Sequence, residues 1–257
     1  MNFFKNKNIL ITGSSYGLGA LIAKELSKEN CNLILVSRSE NKLKQTLKKC
    51  KNIKKHRIII ADFQKSESIK KMTNTIIQNY KNIDVIMHVA GGGLGIKSHL
   101  PNRDEYMKVF NLNLFSVFEI NRDLIDLVKK SKKATLFHVG SIVANEAIGS
   151  ISYNTCKTAL ASYVRSLSNN LQKQQICVTG INPGAFEYKN NAMDRLKKNN
   201  LKVYKNFINN RLPAKKMPKA ANLIDLIKLL IGKDNMIYSG NMISCDSGEG
   251  NFYKQFI

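Results

Sequence analysis

Tyr153 and Lys157 stand four positions apart at the start of a helix-like run, Ser152-Tyr153-Asn154-Thr155-Cys156-Lys157. On a helix that spacing puts both side chains on one face. An ammonium beside a phenol favours the ionised form, so a tyrosine that titrates near pH ~10 when free becomes a usable acid or base. Ser141 lies twelve residues before Tyr153, after the apolar run Ala134 to Val139. A hydroxyl there can donate to the same substrate oxygen that the phenol protonates, as an oxyanion stabiliser does. Tyr-x-x-x-Lys alone turns up by chance in lysine-rich helices, and a serine at a strand end is a common turn residue. Their pairing is what points to proton transfer at a substrate oxygen.

A second constellation lies near the N-terminus. The apolar run Asn8 to Thr12 stops at Gly13, and apolar residues recur at helical spacing from Leu18 to Leu26, which predicts strand, tight turn and helix. The turn reads Thr12-Gly13-Ser14-Ser15-Tyr16-Gly17-Leu18-Gly19. Gly13, Gly17 and Gly19 let the backbone bend sharply and approach a pyrophosphate, while the helix start, with Ser15, Tyr16 and Leu18 around it, supplies N–H donors. An ordinary strand-to-helix turn explains the same glycines. The next strand, Leu33 to Val36, ends in Ser37-Arg38, where a dinucleotide fold holds the adenosine ribose. An acidic residue there would bind ribose hydroxyls; Arg38 instead offers a partner to a 2′-phosphate, which favours NADP(H) over NAD(H). In so basic a chain Arg38 is also readable as a solvated helix-start residue. Asp62, past the third run Arg57 to Ala61, is either the cap of a helix beginning near Ser66 or an adenine contact. Ala90-Gly91 ends a fourth strand, at the carboxyl edge where ligands bind in open α/β sheets.

The elements that must position these groups follow from the same patterning. Asp104 to Val128 suits one long helix bent around Asn111 to Asn113, and Asn113, a poor helix former, requires a hydrogen-bond network or a site role. Ile176 to Ile181 is a sixth strand ending in Asn182-Pro183-Gly184. The polar, irregular and strongly basic stretch Phe186 to Met217 follows, and 185–217 reads as a substrate lid. A helix from Lys219 to Leu230 and a strand near Asn241 to Cys245 close the chain. Strands alternating with helices predict an α/β fold: a single Rossmann-type doubly wound domain over 1–257, with a mostly parallel seven-stranded sheet flanked by helices.

Composition narrows the function classes. With 257 residues, 43 % of them hydrophobic, and only 4 prolines, the chain can bury a full core. The N-terminus lacks an apolar signal core and no stretch approaches bilayer length, so a soluble, cytoplasmic protein without a membrane partner is expected. Five cysteines with no Cys-x-x-Cys pair argue against a disulfide scaffold or a metal site. Lys and Arg number 41 against 18 Asp and Glu, a net charge of +23. The basic run Lys42 to Arg57 could serve nucleic acid, but aromatics do not alternate with its cations as stacking platforms would. Lysine-rich solvated faces are the preferred reading, with attraction of an acidic substrate or partner between the two.

Taken together, Thr12-Gly13-x-x-x-Gly17-x-Gly19, Ala90-Gly91, Asn113, Ser141, Tyr153, Lys157 and Asn182-Pro183-Gly184 resemble the short-chain dehydrogenase/reductase family, in order and spacing over essentially the whole chain. They match its cofactor turn, the end of its Asn-Asn-Ala-Gly motif, its catalytic tetrad and its Pro-Gly turn beside the nicotinamide. The resemblance implies an NAD(P)-dependent oxidoreductase acting on CH–OH or C=O groups. Tyr153 would exchange a proton with the substrate oxygen, Lys157 would lower its pKa and hold the nicotinamide ribose, Ser141 would polarise the substrate, and Asn113 would anchor a water relaying protons to Lys157. Pro183 and Gly184 would border the nicotinamide. The family also implies a homodimer or homotetramer built on the helices Asp104 to Val128 and Tyr153 to Leu171. Three departures stand out. His88-Val89 replaces two Asn and is expected to loosen a strand-to-strand hydrogen bond. Tyr16 stands where many NADP users carry a basic residue, leaving Arg38 alone to argue for the phosphate. Tyr188 replaces a Thr after the Pro-Gly turn. The expected substrate is a small ketone or secondary alcohol, with an anionic sugar derivative and a 3-oxoacyl group on an acyl-carrier protein as the two readings of the basic lid. From a different class comes a catalytically silent basic protein that senses NADP(H) or binds nucleic acid.

Overall fold

The computed structural model describes residues 3–189 and 191–251, so Asn190 in the 185–217 segment and both ends of the expected 1–257 domain lie outside the described residues. The first half runs β1 (Asn8–Thr12), α1 (Gly17–Leu26), β2 (Asn32–Ser37), α2 (Glu40–Leu47), β3 (Arg57–Ile60), α3 (Ser66–Asn79) and β4 (Val85–His88). The second runs α4 (Arg103–Phe110), α5 (Ser116–Lys129), β5 (Ala134–Val139), α6 (Ile151–Leu171), β6 (Ile176–Pro183), α7 (Ala192–Asn199), α8 (Leu201–Arg211), α9 (Ile224–Leu230) and β7 (Met242–Cys245). The strands form one sheet in the order β3-β2-β1-β4-β5-β6-β7, and every pairing is parallel.

Parallel strands need crossovers that lay helices on both faces of the sheet, so the inner strands are apolar on both sides. In β1, Ile9 and Ile11 pack with Ile22, Leu26, Ile227 and Leu230 on one face, while Leu10 packs with Ile69, Met72, Ile120 and Leu124 on the other. Successive side chains point to opposite faces, which turns a continuous apolar run into two cores. Chain order reverses between β1 and β4, and a switch point of that kind opens a crevice outside the carboxyl ends of the strands.

One local expectation is met and three change. The helix from Asp104 is interrupted by a π turn at Asn111–Phe115, at the expected bend. The stretch Phe186 to Met217 is not irregular: it holds α7 and α8, N-capped by Asn191 and Asn200. Lysine and asparagine on their outer faces masked the apolar positions Leu196, Tyr204, Phe207 and Ile208, which pack with Leu212 and Met217. Asp62 does not cap α3, whose N-cap position is Lys65; its Oδ1 accepts from the Gln64 amide at 3.1 Å instead. Nor is the sheet loosened at His88, which pairs opposite His138 in the β4–β5 ladder. The two imidazoles stack with centroids 4.9 Å apart, and His88 Nε2 lies 2.8 Å from Asn121 Oδ1. Among the described residues no helix is long and apolar enough to cross a membrane.

Candidate active site

Beyond β4 the chain passes over the carboxyl edge of the sheet as Ala90-Gly91-Gly92-Gly93. Asn113 meets it from the π turn, whose extra residue relaxes the helical ladder and leaves a buried amide to be satisfied elsewhere. Its Oδ1 accepts from the Gly92 N–H at 2.9 Å, and its Nδ2 donates to the carbonyls of Gly92 and Val109 at 3.1 and 2.8 Å. A Cβ on Gly91 would lie 2.7 Å from Asn113 Oδ1 and 3.4 Å from Lys157 Nζ; one on Gly93 would lie 3.6 Å from Tyr153 Cγ. The glycine segment therefore threads between Asn113, Lys157 and Tyr153, where a side chain at 91 would collide.

Lys157 is buried on α6 and donates to the Val139 carbonyl at 2.8 Å, which leaves its ammonium 5.6 Å from the centroid of the Tyr153 ring. Burial brings that ammonium down to about 8. Burial also pushes the half-buried Tyr153 phenol well above its ordinary value, Cys156 adds to the rise, and the Ser141 side chain pulls it back. The expectation that Lys157 lowers the phenol is thus outweighed in this structure: desolvation is the larger effect, and the lysine directs its hydrogen bond to the backbone.

Ser141 follows β5, with Oγ accepting from the Val143 amide at 3.4 Å and its own N–H donating to Asn182 Oδ1 at 3.1 Å. A Cβ on Gly140 would overlap Asn182 Oδ1, so Asn182 seats the turn that carries the hydroxyl. Past Pro183, a Cβ on Gly184 would lie 2.7 Å from Glu249 Oε2, and the same oxygen accepts from the Ala185 amide at 2.6 Å. Asn182 was read only as part of the Pro-Gly turn and Glu249 was not read at all, because each acts on a partner far away in sequence.

The glycine turn forms the other half of the site. Thr12 Oγ1 donates to the Met87 carbonyl at 3.2 Å and accepts from the amides of Val89 and Ala90 at 3.0 and 3.1 Å, binding the ends of β1 and β4 together. Gly13 has φ +67°, and a Cβ there would come within 2.7 Å of Ala90 Cα. A Cβ on Gly19 would come within 2.5 Å of the Gly13 carbonyl oxygen, whereas Gly17, at φ +62°, faces open space. Among the described residues no side chain caps the start of α1, so its first N–H groups are available to a ligand. Leu18 is buried beneath them, and Ser37 is buried at the end of β2 with Oγ accepting from the Ser39 amide at 3.3 Å.

A crevice of about 620 Å³ runs from this turn, with Ser15, Tyr16, Gly17, Arg38 and Lys42 in its lining. Asp62, Tyr153 and Lys157 are not part of that lining. Tyr16 is exposed, and the Lys42 ammonium sits 5.6 Å from its ring centroid. The basic group that position 16 lacks is therefore delivered from α2. Lys42 had looked like the start of a compositional basic run, and nothing local marked it. Tight glycine turns, open N–H donors and nearby cations suit the phosphates of a dinucleotide.

The model for the short chain dehydrogenase family matches residues 7–199. The chain belongs to that family. As a short-chain dehydrogenase it is an oxidoreductase acting on CH–OH or C=O groups. A 3-oxoacyl-(acyl-carrier-protein) reductase of Buchnera aphidicola is 26% identical over 251 residues, 94% of this chain and 96% of that protein. An uncharacterized oxidoreductase of Staphylococcus epidermidis is 25% identical over 184 residues, 71% of this chain and 79% of that one. L-Sorbose reductase from Gluconobacter frateurii, solved with NADPH and L-sorbose, superposes with a TM-score of 0.86 at 22% identity, covering 97% of this chain and 98% of that one, a likeness of fold.

Proposed function

We propose that this short-chain dehydrogenase interconverts ketones and secondary alcohols with NADP(H) in preference to NAD(H). The observation that carries the reading is the convergence of Tyr153, Ser141, Lys157 and Asn113 around the glycine segment after β4, in a chain that also has a cation-lined crevice at its glycine turn. When bound, the nicotinamide ring supplies the hydride chemistry. The chain's own residues handle protons and alignment. Tyr153 gives its proton to the substrate oxygen in reduction, and Ser141 donates to the same oxygen. Lys157, anchored on Val139, keeps a cation against the phenol and favours the phenolate left behind. Asn113 holds Gly92, and with it the wall on which Lys157 rests.

For the cofactor, Gly13, Ser15, Tyr16, Gly17, Leu18 and Gly19 would hold the pyrophosphate. Ser37, Arg38 and Asp62 would border the adenosine, and Ala90, Gly91, Pro183 and Gly184 the nicotinamide, together with Tyr153 and Lys157. Arg38, joined by Lys42, supports the 2′-phosphate. In the same reading 1–257 is one domain, 185–217 is its substrate lid, and the α5 and α6 faces serve self-association as a homodimer or homotetramer.

The test is a carbonyl screen read by NADPH consumption, with 3-oxoacyl thioesters and anionic ketoses as separate arms. Absence of NADPH-dependent turnover across the screen, or full turnover in Tyr153→Phe, would sink the reading. Arg38→Ala is expected to weaken NADPH much more than NADH, and equal losses remove the 2′-phosphate argument.

A further inference from the structure

The positive charge of the 185–217 segment invites an anionic substrate, yet part of it faces elsewhere. The crevice beside the glycine turn is walled by α1 and α2 and completed by Tyr188, Lys189 and Arg195 from the stretch after β6. Of its thirteen lining residues among those described, six are cations, Lys24, Arg38, Lys42, Lys49, Lys189 and Arg195, and none is acidic. Cations from three separate segments converge on one concavity of about 620 Å³. Lys24 has the Glu25 carboxylate 3.8 Å away outside the lining, but no carboxylate lies in the lining among the six cations, which favours an anion in their midst. Ser15, Tyr16 and Gly17 open the same crevice, so its mouth is the helix start suited to phosphate. Tyr153 and Lys157 are absent from the lining, which sets this concavity apart from the substrate carbonyl.

We infer that Lys189, with Arg195 beside it, is a phosphate ligand for the cofactor, carried on the lid and closing over the adenosine side of the dinucleotide opposite Arg38 and Lys42. The inference rests on the NADP(H) reading above and adds cofactor-binding residues to a segment otherwise assigned to substrate. It follows that the basic lid gives no support to an anionic substrate by way of Lys189 and Arg195. It also follows that occupancy by the phosphorylated cofactor draws the lid toward α1 and α2, whereas the cofactor lacking the 2′-phosphate does so less.

Adenosine 2′,5′-bisphosphate, which carries the phosphate but no nicotinamide, separates this site from the catalytic cluster. Its affinity and those of NADPH and NADH are to be measured calorimetrically on the full chain, for Lys189→Ala, Lys189→Ala/Arg195→Ala and the control Lys202→Ala. Lys202 is an exposed lid residue outside the crevice lining. Loss of one charge-assisted contact predicts about tenfold weaker binding of the bisphosphate and NADPH in Lys189→Ala, with a smaller loss for NADH and a shallower salt dependence. The control is expected to lose less than about twofold, the scale of a distant screened charge. Equal small effects of Lys189→Ala and Lys202→Ala overturn the lid assignment. If Arg38→Ala weakens NADPH while Lys189→Ala does not, the lid assignment alone fails. If the unaltered protein binds NADPH no tighter than NADH, the cofactor reading fails and the lid assignment with it.

Discussion

Lys157 Nζ donates to the Val139 carbonyl at 2.8 Å, and this bond fixes the ammonium 5.6 Å from the centre of the Tyr153 ring. Lysine and tyrosine share α6, but the end of β5 sets the distance between them. Because burial brings Lys157 down to about 8, its charge is lost over the alkaline range in the free protein. The value of kcat/KM for ketone reduction, which reports groups of the free enzyme, is therefore expected to fall above pH 8 or so. Lys157→Arg keeps its charge through that range and should carry the decline to higher pH at a reduced rate. A variant profile that still turns at the wild-type pH would assign the limb to another group.

Tyr153→Phe keeps the ring on which the Lys157 ammonium rests and removes only the proton carrier. General acid catalysis contributes about 10²- to 10⁴-fold, so kcat should fall by at least about 10²-fold while NADPH affinity, followed by fluorescence titration, changes little. A proportional loss of cofactor affinity would instead mean that the phenol binds rather than reacts.

Asn182 Oδ1 is the acceptor for the Ser141 amide, and Asn182 itself is buried. Asn182→Ala leaves that amide without its partner at a cost of about 1–3 kcal/mol, measurable by urea unfolding. The turn that presents Ser141 loosens with it, so kcat should drop as well. Wild-type stability and kcat in the variant would show that Ser141 is seated by the strand end alone.

The stacked pair His88 and His138 predicts acid sensitivity. Burial lowers His88 from its ordinary 6.5 to about 4, and lowers His138 well below its ordinary value. A depressed histidine pKa means that the unfolded chain binds the proton first. The stability that His88 confers is complete above about pH 6.5 and is lost as pH falls toward 4, by about 3 kcal/mol for this residue. Urea midpoints at pH 7 and pH 5 should reveal the fall, and His88→Asn should reduce it. An identical pH dependence in His88→Asn would exclude His88 as its source.

Much of the site could be read before any coordinates. The strand, turn and helix around Gly13 to Gly19 were legible because each is set by neighbours within a few residues. The same holds for the single face shared by Tyr153 and Lys157, since the helical period alone places residues four apart together. Asn113 announced itself as a poor helix former in a helical stretch, and the π turn accounts for it. By contrast α7 and α8 were read as irregular, because polar residues outnumber the few apolar positions that hold them.

Residue order and spacing alone thus gave the α/β alternation, the glycine turn and the shared face of Tyr153 and Lys157, all consequences of short-range periodicity and chemistry; Asn113 and Ser141 joined them as a set through the family resemblance. Which strand end faces which was not contained there. Asn182 reaches Ser141 across 41 residues, Asn113 reaches Gly92 across 21, Lys42 comes over Tyr16, and Lys189 joins the crevice of α1 and α2. Such meetings depend on the strand order of the whole sheet and on burial. Burial is also what reverses the expected effect on the Tyr153 phenol: the loss of water around a group is a property of the packed molecule, and no spacing along the chain encodes it.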